Sequence, residues 1–119
     1  MITVREFRNL INSFGTDFKI GFQKLAHEPK GFDLVGLKIV DTEVNLFGNK
    51  VTIVLEETYN DEESMNNDIQ DLRDFCNAND SYMLIDFRLN IGTETIPLTV
   101  NTGDVSWSDK LFLIDFTEN

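Results

Sequence analysis

The sequence predicts an α+β domain over residues 1–119: an antiparallel sheet of about six strands with two helices packed on one face, in the order α-β-β-β(β)-α-β-β-β. Three observations predict it. Two segments place apolar residues at helical spacing, and most of the rest alternates apolar with polar. The connections between strands are short, which favours antiparallel neighbours. At 119 residues and 41% hydrophobic, with ten Phe, the chain suits one domain with a filled core rather than a disordered segment.

The first helix is predicted over Val4–Phe14. Thr3 is an N-cap with Glu6 three residues on, a capping box, and Ile2 can staple onto Phe7. Val4, Phe7, Leu10, Ile11 and Phe14 form one apolar stripe, and Gly15 offers a left-handed stop. Strands are then predicted over Asp17–Leu25, with Phe18, Ile20 and Phe22 on one face, and over Phe32–Val40. Thr42–Phe47 and Val51–Glu56 flank Gly48-Asn49, a two-residue hairpin signal.

A second helix is predicted over Asp61–Cys76, capped by Asn60, with Met65, Ile69, Leu72 and Cys76 as its buried stripe. The alternation from Met83 to Ile91 is the strongest strand pattern in the chain and suggests a central position. Ile96–Val100 follows, where Pro97 argues for an edge, then a loop over Asn101–Asp109 and a last strand over Leu111–Thr117. Each half thus reads as a helix followed by hairpins, without a sequence repeat, which is either an architectural echo or an accident.

Composition narrows function mainly by exclusion. Ten Lys+Arg against 21 Asp+Glu give a net charge of −11, which repels nucleic-acid backbones and anionic membranes. A basic partner is favoured instead. One Cys and one His make neither a disulfide nor a zinc site, and no cofactor or metal is expected. A cytoplasmic location is expected, because the N-terminus lacks signal-peptide features and no apolar run reaches about 18 residues. Cys76 lies on an apolar stripe, His27 beside a Pro and a Gly, and no nucleophile motif surrounds any Ser, so enzymatic activity is not expected.

Acids are concentrated between Glu56 and Asp80, where nine of the 21 lie. Glu63, Asp68, Asp71 and Asp74 fall on an arc away from the apolar stripe. The last three rise about 4.5 Å at each step, comparable with the spacing of phosphates along a DNA strand. Tyr59 and Phe75 flank this arc, and Trp107, the only Trp, stands in a polar loop as a candidate anchor. The resulting expectation is a small acidic, non-enzymatic inhibitor, monomeric or homodimeric, that occupies the basic surface of a nuclease or other nucleic-acid-binding protein. Anti-CRISPR and nuclease-immunity proteins of mobile elements, some of them DNA mimics, share this logic of charge and size. Two alternatives compete with it: a ligand binder or enzyme built on Asp86, Arg88 and Asp115, and a homo-oligomeric virion-type component.

Overall fold

A computed structural model describes residues 2–15, 17–25, 33–60, 69–79 and 82–118. Strands β1 (Ile2–Thr3), β2 (Lys19–Leu25), β3 (Leu34–Asn45), β4 (Lys50–Thr58), β5 (Leu84–Ile91), β6 (Glu94–Ser106) and β7 (Leu111–Glu118) accompany helices α1 (Val4–Ile11) and α2 (Ile69–Ala78). The ladder runs β1-β5-β4-β3-β2-β7-β6, and β6 pairs back onto β5. Strands β2 to β7 therefore close into a six-stranded barrel, with β1 as a short addition on β5.

This corrects the expected α+β sheet with helices on one face. Two of the six seams, β4–β5 and β7–β2, are parallel. The chain between Thr58 and Leu84 contains a helix and is long enough for a parallel crossover, whereas the short links give the four antiparallel seams. Closure removes the free edges along the paired length of the strands. The helices cap one end of the barrel: the Val4 N–H donates to the Met83 carbonyl just before β5 at 2.9 Å. Phe7 meets Phe87 inside, with ring centroids 5.1 Å apart.

Local signals that depend on few residues are realised. The Thr3–Glu6 capping box forms, with Glu6 N–H donating to Thr3 Oγ1 at 3.1 Å and Thr3 N–H to Glu6 Oε1 at 3.2 Å. The same Thr3 N–H bond, then the Thr3 hydroxyl, hold the exposed Glu6 carboxyl below the usual range. Helix α1 stops at Ile11, and Gly15 turns the chain at φ 108°.

The two strands expected between residues 32 and 47 are, over their described part, one strand, β3, from Leu34 to Asn45, whose register slips between Ile39 and Asp41. A bulge there inverts the alternation, so one strand reads as two. The β3–β4 link is the four-residue turn Leu46–Asn49, with Asn49 at φ 51°. The loop expected over Asn101–Asp109 is largely strand: β6 continues to Ser106 with a register shift between Asn101 and Asp104. Pro97 is no sheet edge, yet β6 meets β7 only from Leu98 onward, so the missing N–H disrupts no β7 ladder. The start expected for the second helix, Asp61–Asp68, lies outside the described residues.

The echo between halves is geometric. In the β7–β2 seam Leu111 faces Lys19, and in the β4–β5 seam Lys50 faces Leu84. Carried along these registers, Phe22 on Leu37 corresponds to Phe87 on Leu98. Leu37 on Glu57 corresponds to Leu98 on Glu118. Even the turns match, since Asn49 and Lys110 both stand at φ 51°. Two helix-plus-three-strand halves are thus joined by their parallel seams. One core runs through both, from Val4, Phe7 and Ile11 to Ile53, Phe87 and Phe116.

Candidate functional site

The acidic arc is only partly within the described residues. Glu63 and Asp68 lie outside them, and Asp71 belongs to α2 by its backbone. Asp74 is exposed near the end of α2, where the helix dipole gives a carboxylate no help. Tyr59 is 82% exposed just past the end of β4. Phe75 instead packs partly buried against the core. Trp107 keeps 66% exposure in the β6–β7 turn while its ring stands edge-on to Phe14 and Phe18, at centroid distances of 5.3 and 5.5 Å. Tyr59 and Trp107 thus present aromatic surface, whereas Phe75 mainly completes the core. The two exposed rings stand at opposite ends of β4 and β7, because Tyr59 follows the end of β4 and Trp107 precedes the start of β7.

A cleft opens beside β5. The β5–β6 ladder begins only at Phe87 with Leu98, so the first residues of β5 are left to β1, where Ile2 faces Ile85. Between β1 and Thr99–Val100 of β6 this leaves about 490 Å³ lined by Ile2, Phe87, Pro97 and Leu98 on the apolar side and Lys50, Asp86 and Arg88 on the charged side. The charged group continues outward into a shallow groove of about 800 Å³ over the outer face of β3, β4 and β5, which also includes Asp41, Glu43 and Glu56.

Arg88 is committed within the chain. Its Nε donates to Thr95 Oγ1 at 2.9 Å, its Nη2 to the Thr95 carbonyl at 3.1 Å, and its Nη1 to Asp86 Oδ2 at 3.4 Å. Lys50 Nζ stands 3.9 Å from the same Asp86 oxygen. Asp115 does not join Asp86. It lies on β7 and accepts from Gln23 Nε2 at 2.6 Å. Among the described residues no group of three or more His, Cys, Asp or Glu is placed to hold a metal ion, and His27 lies outside them.

Sequence reasoning missed a buried cation. Lys24 is 2% exposed, inside the barrel end away from the helices. Its Nζ reaches Glu57 Oε2 at 2.7 Å and Glu118 Oε2 at 3.0 Å, and also donates to the Leu25 carbonyl. Glu57 and Glu118 are matching positions of the two halves, so the ammonium sits between related carboxylates. The signal was present: continuing the face of Phe18, Ile20 and Phe22 by two residues lands on Lys24.

Cys76 is fully buried in the core, and burial pushes its thiol up from 9.0 to about 11 against the opposing pull of the Arg8 guanidinium. The folded chain therefore keeps the proton at a pH where the unfolded chain has lost it. Stability from this group is complete below pH 9 and is lost as pH rises towards about 11, at up to about 1.4 kcal/mol per pH unit. Urea unfolding of wild type and Cys76→Ala across this alkaline range is expected to show the steeper decline in wild type. Equal slopes would remove the effect.

No helix among the described residues is long and apolar enough to cross a membrane. No protein-family model, no curated protein and no solved structure matches this chain, so what the molecule does has to be argued from its own charges and surfaces.

Proposed function

We infer that this protein is a non-enzymatic binding protein that occupies a basic, nucleic-acid-handling surface of a partner protein, in the manner of the small acidic inhibitors and DNA mimics of mobile elements. The observation that carries this reading is the disposition of charge. Ten cations face 21 acids. Lys24, Lys50, Arg88 and Lys110 each stand within 4.0 Å of a carboxylate of the same chain. Asp33, Asp41, Glu43, Asp74, Glu94 and Asp104 meanwhile lie exposed. An anionic exterior speeds encounter with a cationic surface and rejects anionic competitors. Tyr59 and Trp107 add the exposed aromatic area on which interfaces concentrate their binding energy.

The test compares partner retention by wild type and by a variant carrying Glu63→Gln, Asp68→Asn, Asp71→Asn and Asp74→Asn. At about 0.2–1 kcal/mol for each of the four lost charge pairs, affinity should fall by roughly fourfold to several hundredfold. A folded variant that keeps every partner would contradict the role of this segment.

The cleft beside β5 favours a second reading, a binder of small amphipathic ligands. Lys50 would meet an anionic group there while Ile2 and Pro97 contact an apolar body. Its shallow, open form makes it the lesser of the two readings.

A further inference from the structure

Strand β3 is a barrel strand for only part of its length. Its pairing with β2 ends at Leu37 opposite Phe22, while its pairing with β4 continues to Asn45. From Val40 to Asn49 every residue is exposed, and Val44, Leu46 and Phe47 keep 47%, 79% and 106% exposure. The matching turn after β6 is disposed differently. In its turn Trp107 lies against Phe14 and Phe18, whereas Leu46 and Phe47, in the related turn, project into solvent. Two halves of one design thus leave one apolar corner covered by the chain itself and the other bare.

The bare edge is guarded only by the bulge between Ile39 and Asp41 and by two acids. Exposed edges are commonly protected by Lys or Pro, yet from Ile39 to Asn49 there is no Lys, Arg or Pro, and the only charges are Asp41 and Glu43. We propose that the β3 edge at Val40–Asn45, with Leu46 and Phe47 beside it, is a docking strand for an extended basic segment of a partner protein, which would add to the barrel as a further strand. This rests on the basic-partner reading and names its point of contact. Side chains alternate between the two faces of a strand, so the incoming segment would place cations beside Asp41 and Glu43 on one face and apolar residues beside Thr42 and Val44 on the other, with Leu46 and Phe47 of the turn at its end. A second copy fits poorly, because antiparallel self-pairing would set Asp41 and Glu43 against each other across two chains of net charge −11.

The probe is a synthetic peptide of about eight alternating lysines and valines, the length of a typical strand, with an alternating glutamate–valine peptide as control. Nuclear magnetic resonance of the whole chain should show the lysine–valine peptide shifting the amides of Thr42–Val44 and slowing their hydrogen exchange. The glutamate–valine peptide should bind at least tenfold more weakly. Asp41→Asn with Glu43→Gln should weaken the lysine–valine peptide at least tenfold with the barrel spectrum otherwise unchanged, and Phe47→Ser should do so independently. Binding that moves only amides around Asp74 would overturn the edge site while leaving the basic-partner reading in place. No binding by the lysine–valine peptide, or affinity indifferent to these variants, would also overturn it. So would concentration-dependent self-association through Thr42–Val44, which would make the occupant a second copy.

Discussion

Glu57→Gln together with Glu118→Gln is expected to destabilise the barrel by about 3–5 kcal/mol, the cost typical of leaving one member of a buried ion pair uncompensated. Lys24 has a side chain 1% exposed, so its ammonium depends on the two carboxylates and the Leu25 carbonyl for partners. The two carboxylates are 22% and 28% exposed and tolerate neutralisation far better than the ammonium tolerates their loss. Adding Lys24→Leu to the double variant should recover most of the loss, because the matching position of the other half is the fully buried Leu89 and a packed apolar side chain often equals or exceeds a buried ion pair. Urea unfolding of the wild type, the double variant and the triple variant checks both statements. A double variant as stable as wild type would show that water, not Glu57 and Glu118, satisfies the ammonium.

Gly103→Ala is expected to cost about 3 kcal/mol, at the upper end for overpacking, because the obstacle is backbone rather than a movable side chain. A Cβ at Gly103 would overlap the Leu113 carbonyl and come within 2.9 Å of Ile114 Cα. Gly103 lies where the β6–β7 register shifts between Asn101 and Asp104, so the bulge brings the strands too close for any side chain. Thermal unfolding should fall by several degrees or more for a domain of this size, with faster amide exchange localised to β6 and β7. An unchanged melting temperature would mean that the bulge can rearrange at little cost.

These two sites show where sequence reading reached its limit. Elements fixed by neighbouring residues were legible: the Thr3–Glu6 box, the left-handed turn at Gly15 and the alternation through Ile85, Phe87 and Leu89, whereas the helix expected to reach Phe14 ends at Ile11. The helix-plus-strands order of the two halves was legible, but not that it is an echo rather than an accident, because register and turn geometry can match while side chains differ. Bulges defeated the period-two reading. The slip after Ile39 cut β3 into two apparent strands, and the one near Gly103 made the far half of β6 look like a loop. Barrel closure was hidden because the β7–β2 seam joins the ends of the chain, which no local spacing reports. Lys24 broke the rule that a charge marks an outward face, since its partners Glu57 and Glu118 arrive from distant strands. At the candidate surface, the anionic excess was readable as composition, whereas which of Tyr59, Phe75 and Trp107 stand exposed was not. The bare β3 edge became visible only when the two halves could be compared.

The most direct test of a surface built to meet cations is the dissociation constant of the complex with the retained partner, followed as salt rises from about 0.05 to about 0.5 M, over which screening shortens from well above to well below about 10 Å. A steep loss of affinity, tenfold or more and carried largely by slower association, is the predicted result. A dissociation constant that stays flat across that range would contradict recognition through the acidic exterior.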